Sequence, residues 1–123
     1  MPEMTKKEIG DLGEKIAAKY LTKHKCKVIA TNYHSRFGEI DIIATTAEYI
    51  LFCEVKTRAS DRFGRPAQAV DFRKRRKLMM TAHDYLAKFP SVLQPRFDVL
   101  EVMDGEVNHI ENAFMMEDPN GVF

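Results

Sequence analysis

Apolar residues recur with helical spacing in two long parts of this chain. Between Thr5 and about Lys23 they repeat every three to four positions, and Thr5 with Glu8 forms the capping-box pattern that starts a helix. A second long helix is predicted from Ala67 to about Lys88, directly after a proline that suits a first helical position. Two helices are therefore expected, one near the start of the chain and one in its second half.

Five shorter segments have the composition of β-strands. They are rich in Ile, Val, Phe and Tyr and are bounded by turn-forming residues. In chain order, the predicted strands are Lys25–Thr31, Gly38–Ala44, Tyr49–Thr57, Arg96–Met103 and Glu106–Phe114. The element order α-β-β-β-α-β-β predicts an α/β (α+β) protein in which helices flank a mixed central sheet.

Turn-forming residues predict the connections between these elements. Thr45–Glu48 is a short link that makes the second and third strands a hairpin, and Asp104-Gly105 is a strong hairpin signal between the last two. The other predicted interruptions are the loops Asn32–Phe37 and Asp61–Pro66 and the breaks at Pro90 and Pro95.

Length and composition restrict the class of protein. With 123 residues, 45% of them hydrophobic, the chain is expected to form one domain, 1–123, with a loose tail at 115–123. The longest apolar stretch, Tyr49–Cys53, is far too short to cross a bilayer, and the start lacks a secretory signal, so a cytoplasmic protein that binds no membrane is expected. Cys26 and Cys53 have no zinc-site partners and are interpreted as small apolar residues.

Charge is segregated along the chain, although the formal net charge is only +1. Residues 56–77 carry nine Lys or Arg and two Asp or Glu, whereas residues 98–123 carry seven acidic residues and no basic one. The basic segment is typical of polyphosphate binding, with nucleic acid the commonest case, although a solvated helix face is an equal alternative. The acidic end indicates either a docking surface or charge that keeps the chain in solution.

Three carboxylates and a lysine lie inside the predicted central hairpin. Glu39 and Asp41 belong to its first strand, and Glu54 and Lys56 belong to its second. Strands this apolar belong in the middle of a sheet, where charge is costly unless it is paired or bound to a metal. The hairpin therefore contains either structural ion pairs or a cation site.

A two-residue turn at Thr46-Ala47 would bring these side chains to one face of the sheet. Asp41 would then lie opposite Phe52. Glu39 would lie opposite Glu54, so that Asp41 and Glu54 become diagonal neighbours within roughly 7 to 8 Å between backbones. One divalent cation bridges such a gap. A lysine two residues after the second carboxylate would place its charge beside a metal-bound water.

These residues match a known pattern. Asp41, a gap of a dozen residues and Glu54-Val55-Lys56 resemble the PD-(D/E)xK nuclease superfamily. The closer resemblance is to the uncharacterised YraN-like family of that superfamily, which is similar to Holliday junction resolvases. The matching motifs are Gly10-x-x-Gly13-Glu14-x-x-Ala17, Gly38-Glu39-Ile40-Asp41, Phe52-Cys53-Glu54-Val55-Lys56-Thr57-Arg58, Phe63-Gly64 and a Lys-rich second helix that ends near Ala82 and Tyr85-Leu86. They cover residues 8–102, and Ile40 stands where the superfamily has a proline.

The resemblance implies a restriction-endonuclease-like αβββαβ core, a Mg²⁺ or Mn²⁺ cofactor and a nucleic-acid substrate, with DNA favoured and branched or junction DNA one option. Asp41 and Glu54 are expected to hold the metal. The resemblance adds Glu14 to them, although a plain surface glutamate is an equal alternative. Lys56 is expected to assist the attacking water, and Glu39 to support the site. The residues expected to contact phosphate are Lys56, Arg58, Arg62, Arg65, Arg73, Lys74, Arg76 and Lys77.

Other functions remain open at this point. The basic helix also suits a module that binds nucleic acid without cutting it, and the acidic end suits an assembly protein that docks on a basic partner. Glu54 and Lys56 also suit a simple structural ion pair. The sequence leaves open which nucleic acid is the substrate and whether the protein is a monomer or a homodimer.

Overall fold

The computed structural model describes residues 3–58 and 72–114. Within those residues, the helices are α1 (Lys6–Lys23) and α2 (Phe72–Lys88), and the strands are β1 (Lys27–Ser35), β2 (Gly38–Thr45), β3 (Tyr49–Arg58), β4 (Gln94–Met103) and β5 (Glu106–Phe114). Neither of these helices is long and apolar enough to cross a membrane. The predicted loop Asp61–Pro66, the predicted helix start at Ala67 and the tail 115–123 lie outside the described residues.

The strands form one mixed sheet in the order β1-β2-β3-β4-β5. β3 and β4 run parallel, and the other neighbouring pairs run antiparallel. Parallel neighbours need a crossover connection, and α2 lies between β3 and β4 in the chain. The predicted α+β class with a mixed central sheet is confirmed.

The two helices cover opposite faces of the sheet. Along β3, Leu51 and Cys53 belong to the apolar cluster that contains Ala17 of α1. Phe52, between them, belongs to the cluster that contains Leu78 of α2. Successive side chains of a strand point to opposite faces, so this alternation places β3 between two apolar layers. Burial on both faces explains why the central strands are apolar along almost their whole length.

Helix α1 begins where the sequence predicts. Thr5 Oγ1 accepts a hydrogen bond from Glu8 N at 3.1 Å, and Thr5 N donates to Glu8 Oε1 at 3.0 Å. Each partner satisfies a backbone group that the helix itself leaves unpaired. The predicted capping box is confirmed.

The predicted loop Asn32–Phe37 is wrong, because β1 continues to Ser35 and pairs with β2 up to Gly38. Asn32 has a φ of 50°, a left-handed conformation that Asn tolerates better than most residues. The Asn is therefore a local irregularity inside a strand, and not the start of a loop.

The predicted register of the central hairpin is also wrong. Thr45 pairs with Ile50, and Thr46 Oγ1 accepts hydrogen bonds from the backbone N–H groups of Glu48 (3.2 Å) and Tyr49 (2.9 Å). This hydroxyl stabilises a connection longer than the two residues Thr46-Ala47. Phe52 consequently lies opposite Ile43 instead of Asp41. Glu39 lies outside the part of β2 that pairs with β3, so the predicted pair with Glu54 is absent from this ladder.

The predicted break at Pro95 is wrong as well, since Pro95 lies inside β4 and pairs with Ile50 of β3. It is the second residue of that strand, where a missing backbone N–H costs little. Pro90, in contrast, lies between α2 and β4 as predicted.

Candidate active site

An open cavity of about 570 Å³ lies where the N-terminal half of α1 meets β2 and β3. Four of the predicted site residues line it: Glu14, Asp41, Glu54 and Lys56. Lys6, Gly10 and Thr57 contribute to its walls. The structure therefore brings the predicted carboxylates and the predicted lysine together in spite of the different register.

Asp41 lies one residue before Ile42, which pairs with Cys53 where the paired part of β2 and β3 ends. Its Oδ2 accepts a hydrogen bond from Val55 N at 2.8 Å, which holds the carboxylate at the mouth of the hairpin. Burial and the nearby charge of Glu54 raise the pKa of Asp41 to about 7, although the Val55 N–H opposes the shift. Burial first, and the neighbouring carboxylates second, therefore disfavour the ionised form of Asp41.

Glu54 is buried and contacts two lysines. Its Oε1 lies 3.4 Å from Lys56 Nζ and 2.5 Å from Lys74 Nζ. Burial, and then the proximity of Lys74, lowers the pKa of Lys56. Burial is the largest influence on Lys74 and opposes its charge, but its hydrogen bonds with Glu54 and Lys56 and the negative charges of Glu54 and Asp41 together raise its pKa. Two ammonium groups therefore contact the same oxygen of Glu54.

Sequence reasoning assigned Lys74 to phosphate binding and missed its contact with Glu54. The signal was present, because the buried residues Leu78, Ala82 and Tyr85 of α2 define the face that packs on the sheet. Lys74 precedes Leu78 by one helical turn and belongs to the same face. The five-residue basic run therefore divides into an inward lysine and exposed neighbours.

Glu14 reaches the cavity from α1 and is tied to Glu39 through Asn32. With the Asn32 amide turned so that its groups are satisfied, Nδ2 donates to Glu14 Oε1 at 2.9 Å and to Glu39 Oε1 at 2.8 Å. Burial and the charge of Glu39 raise the pKa of Glu14. Sequence reasoning missed Asn32, because its turn-forming character was interpreted as a loop. The roles assigned to Glu14 and Glu39 stay predictions.

Helix α1 packs very closely on β3 at Gly13. A Cβ atom at this position would lie 1.9 Å from Thr57 Oγ1 and 3.1 Å from Thr57 Cβ. Only a residue without a side chain lets the helix backbone approach the Thr57 side chain this closely. Gly13 thereby sets the distance at which the adjacent Glu14 enters the cavity.

We expect Gly13→Ala to destabilise the protein and to move Glu14. Overpacking costs about 1 to 3 kcal/mol, and the 1.9 Å approach to Thr57 Oγ1 puts this site in the upper part of that range, above the gain of about 1 kcal/mol from replacing a helical Gly by Ala. Gly10→Ala is the matched control, since nothing lies within 4 Å of its added Cβ and only the gain remains. Urea unfolding of both variants measures the difference. An equal or higher stability for Gly13→Ala would contradict the close packing, and Thr57→Ala should partly rescue the loss.

The other predicted phosphate contacts are distributed along β3 and α2. Arg73, Arg76 and Lys77 are exposed on α2, and Arg58 is half-buried at the end of β3. Arg62 and Arg65 lie outside the described residues. These exposed residues of α2 lie within one helical turn of Lys74, which contacts Glu54 of the cavity wall.

Two residues of the acidic end, Asp98 and Glu101, are buried in the part of the chain that the structure describes. Asp98 is 1% exposed and accepts hydrogen bonds from Arg96, at 2.9 and 2.8 Å, and from Asn112 N at 3.0 Å. His109 Nε2 lies 2.6 Å from the same carboxylate, and Glu101 is also buried. Burial opposes ionisation, but these partners outweigh it and lower the pKa of Asp98. The most buried of these acidic residues are therefore structural.

The donor atoms at the cavity suit Mg²⁺ or Mn²⁺, which prefer carboxylate oxygens. In residues 3–58 and 72–114, however, no three acidic, His or Cys side chains are arranged closely enough to hold an ion as they stand. Glu54 is engaged with two lysines instead. The residues fit such a cation chemically, provided that Glu54 exchanges a lysine for it.

Fold and cavity together define the class: an α+β protein that gathers carboxylates and lysines where two central strands separate. The chain belongs to the family described as Uncharacterised protein family UPF0102, whose match spans residues 13–102. That span begins at Gly13 and includes the four predicted residues that line the cavity.

Relatives of the chain carry the same family description. It is 45% identical over 122 residues to a UPF0102 protein of Caldanaerobacter subterraneus subsp. tengcongensis, covering 93% of this chain and 100% of the relative. It is also 45% identical over 114 residues to one of Clostridioides difficile, with 90% and 100% covered. A third, from Thermodesulfovibrio yellowstonii, is 41% identical over 111 residues, with 90% and 99% covered.

Proposed function

We propose that the protein is a Mg²⁺- or Mn²⁺-dependent phosphodiesterase that cleaves nucleic acid, with DNA as the favoured substrate and branched DNA as one option. The observation that carries the proposal is the convergence of Glu14, Asp41, Glu54 and Lys56 on one open cavity. The raised pKa of Asp41 supports it, because a bound cation would compensate the cost of ionising this buried carboxylate.

Asp41, Glu54 and Glu14 would hold the cation, which when bound polarises a phosphodiester oxygen and lowers the pKa of a water. The chain's own residues position these carboxylates and supply positive charge. The Val55 N–H fixes Asp41 at the strand end, and Gly13 admits α1 closely enough for Glu14 to reach the cavity. Lys56 places a positive charge beside Glu54, where it stabilises the negative charge that develops on the phosphate.

A panel of end-labelled substrates tests the proposal. Linear duplex, flap, four-way junction and RNA substrates are incubated with the protein in Mg²⁺, Mn²⁺ or EDTA. We expect that at least one substrate is cleaved and that EDTA abolishes this cleavage. An Asp41→Asn preparation purified in the same way excludes a contaminating nuclease, and intact substrates under every condition would contradict the proposal.

The second candidate is a module that binds nucleic acid without cutting it. The contacts of Glu54 with Lys56 and Lys74 favour it, because they satisfy the buried carboxylate without any metal. This alternative predicts binding in the panel, no cleavage, and a melting temperature that is indifferent to Mg²⁺.

The exposed basic residues of α2 are expected to dominate the salt dependence of binding. Replacing both Arg73 and Arg76 by Gln should flatten the plot of log affinity against log salt by about one unit for each lost phosphate contact. Fluorescence anisotropy with a labelled duplex measures the slope. Lys19→Gln, which removes an exposed charge from α1 on the other face of the sheet, is the control. An unchanged slope in the double variant would move the binding surface elsewhere.

A further inference from the structure

Lys74 is the residue whose place in the structure the proposed function leaves unexplained. It extends from α2 to the buried carboxylate of Glu54, although Lys56 of β3 contacts the same oxygen. Lys56 alone would match the single charge of Glu54. The second ammonium therefore occupies the space, and neutralises the negative charge, that a divalent cation would need.

A cation on either oxygen of Glu54 would lie close to the ammonium groups of both Lys56 and Lys74. Like charges a few ångströms apart repel strongly in a cavity that is partly shielded from water. A buried carboxylate without any partner is also costly, so one positive group must replace another on Glu54. Binding of a cation is then an exchange, and one lysine has to leave.

The structure indicates that the lysine that leaves is Lys74. The Lys56 side chain is 24% exposed and comes from a strand that is paired with β4 at that position. The Lys74 side chain is 37% exposed and comes from a helix that also carries the exposed residues Arg73 and Arg76. Its flexible four-carbon stem lets the ammonium swing towards solvent or towards a bound phosphate without moving the helix.

We infer that Lys74 is a resident counter-ion of Glu54 that a divalent cation displaces, and that the displaced ammonium contacts a phosphate of the nucleic acid in the same cavity. The inference rests on the proposed function and specifies how that site is regulated. It makes cation binding and phosphate binding cooperative, because each ligand favours the position of Lys74 that the other requires.

Cation affinity in the absence of nucleic acid tests the first half of the inference. Titration calorimetry with Ca²⁺ and with Mn²⁺ compares the wild type, Lys74→Gln and Arg73→Gln. Lys74→Gln should bind the cation roughly tenfold more tightly, because no ammonium competes for Glu54. Arg73→Gln removes one exposed charge from the same helix and should change the affinity by only about twofold through long-range charge.

Nucleic-acid affinity tests the second half. Anisotropy with a labelled duplex is measured for the same proteins with Ca²⁺ and with EDTA. Lys74→Gln should weaken binding only when Ca²⁺ is present, since in EDTA the wild-type Lys74 is held by Glu54. Arg73→Gln should weaken binding in both conditions, because its contact with phosphate does not depend on the cation.

The possible results separate this inference from the proposed function. Tighter cation binding and a Ca²⁺-dependent loss of nucleic-acid affinity in Lys74→Gln support both. The wild type could bind the cation while Lys74→Gln binds it no more tightly than Arg73→Gln. That result overturns the role of Lys74 and leaves the nuclease proposal intact. Absence of cation binding in all three proteins overturns both, and binding only in Lys74→Gln supports the competition directly.

Discussion

Asp41→Asn is expected to stabilise the cation-free protein at pH 8 and to remove its stabilisation by Mg²⁺. The raised pKa of Asp41 means that the folded protein disfavours the ionised carboxylate. Asn carries no charge, and its side-chain oxygen still accepts the hydrogen bond from Val55 N. The variant therefore loses an electrostatic penalty together with a proposed metal ligand.

The sign of the pH dependence follows from the direction of the shift. Asp41 has a pKa of about 7 in the folded protein and its ordinary value of 3.8 when unfolded, so the folded state binds its proton more tightly. The penalty is absent below about pH 4, grows between about pH 4 and pH 7, and is complete above that range. It amounts to about 4 kcal/mol at most, and to less where water screens the cavity.

Urea unfolding of the wild type and Asp41→Asn between pH 4 and pH 8.5, with and without Mg²⁺, measures this difference. Other groups titrate over the same range, and burial raises the pKa of Glu14 in the same direction. Only the difference between the two proteins therefore isolates Asp41. Asp11→Asn, which alters an exposed carboxylate of α1, is the control. A variant less stable than the wild type at pH 8 in EDTA would show that the ionised Asp41 is favourable in this fold.

Features determined by neighbouring residues could be predicted from the sequence. The start of α1 depends on Thr5 and Glu8, which lie three positions apart, and both the capping box and the helix are as predicted. The register of the central hairpin depends on where the Thr46 hydroxyl points, which composition does not reveal. The carboxylates still share one cavity, partly because the error was an even number of residues and an even shift keeps a side chain on its face.

The parts of the candidate site that the sequence did not predict are contacts between elements that are distant in the chain. Lys74 meets Glu54 only because α2 packs over the sheet beside β3, and Asn32 meets Glu14 only because β1 pairs next to β2 below α1. Helical periodicity places Lys74 on the packed face of α2, but it does not identify the residue of the sheet that lies below it. Such contacts follow from tertiary packing, whereas the carboxylate spacing follows from the strands themselves.

Lys56→Ala is expected to lower the cleavage rate by about two orders of magnitude or more while cation binding persists. That is the scale of loss when one preorganised charge is removed from an active site. The proposed ligands Asp41, Glu54 and Glu14 are unchanged in this variant, because Lys56 contributes charge beside them and no ligand oxygen.

The folded protein should survive the Lys56→Ala change, because Lys74 still contacts the buried Glu54. If the Glu54–Lys56 contact were purely structural and Lys74 did not compensate, the stranded carboxylate would instead cost roughly 3 to 5 kcal/mol. Melting temperature, Ca²⁺ affinity and single-turnover cleavage are measured side by side for Lys56→Ala and for Lys6→Ala, which removes a charge from the cavity wall. A melting temperature near that of the wild type with slow cleavage assigns Lys56 to the chemistry. If Lys56→Ala is strongly destabilised and its folded fraction cleaves at the wild-type rate, the contact between Glu54 and Lys56 is only a structural ion pair.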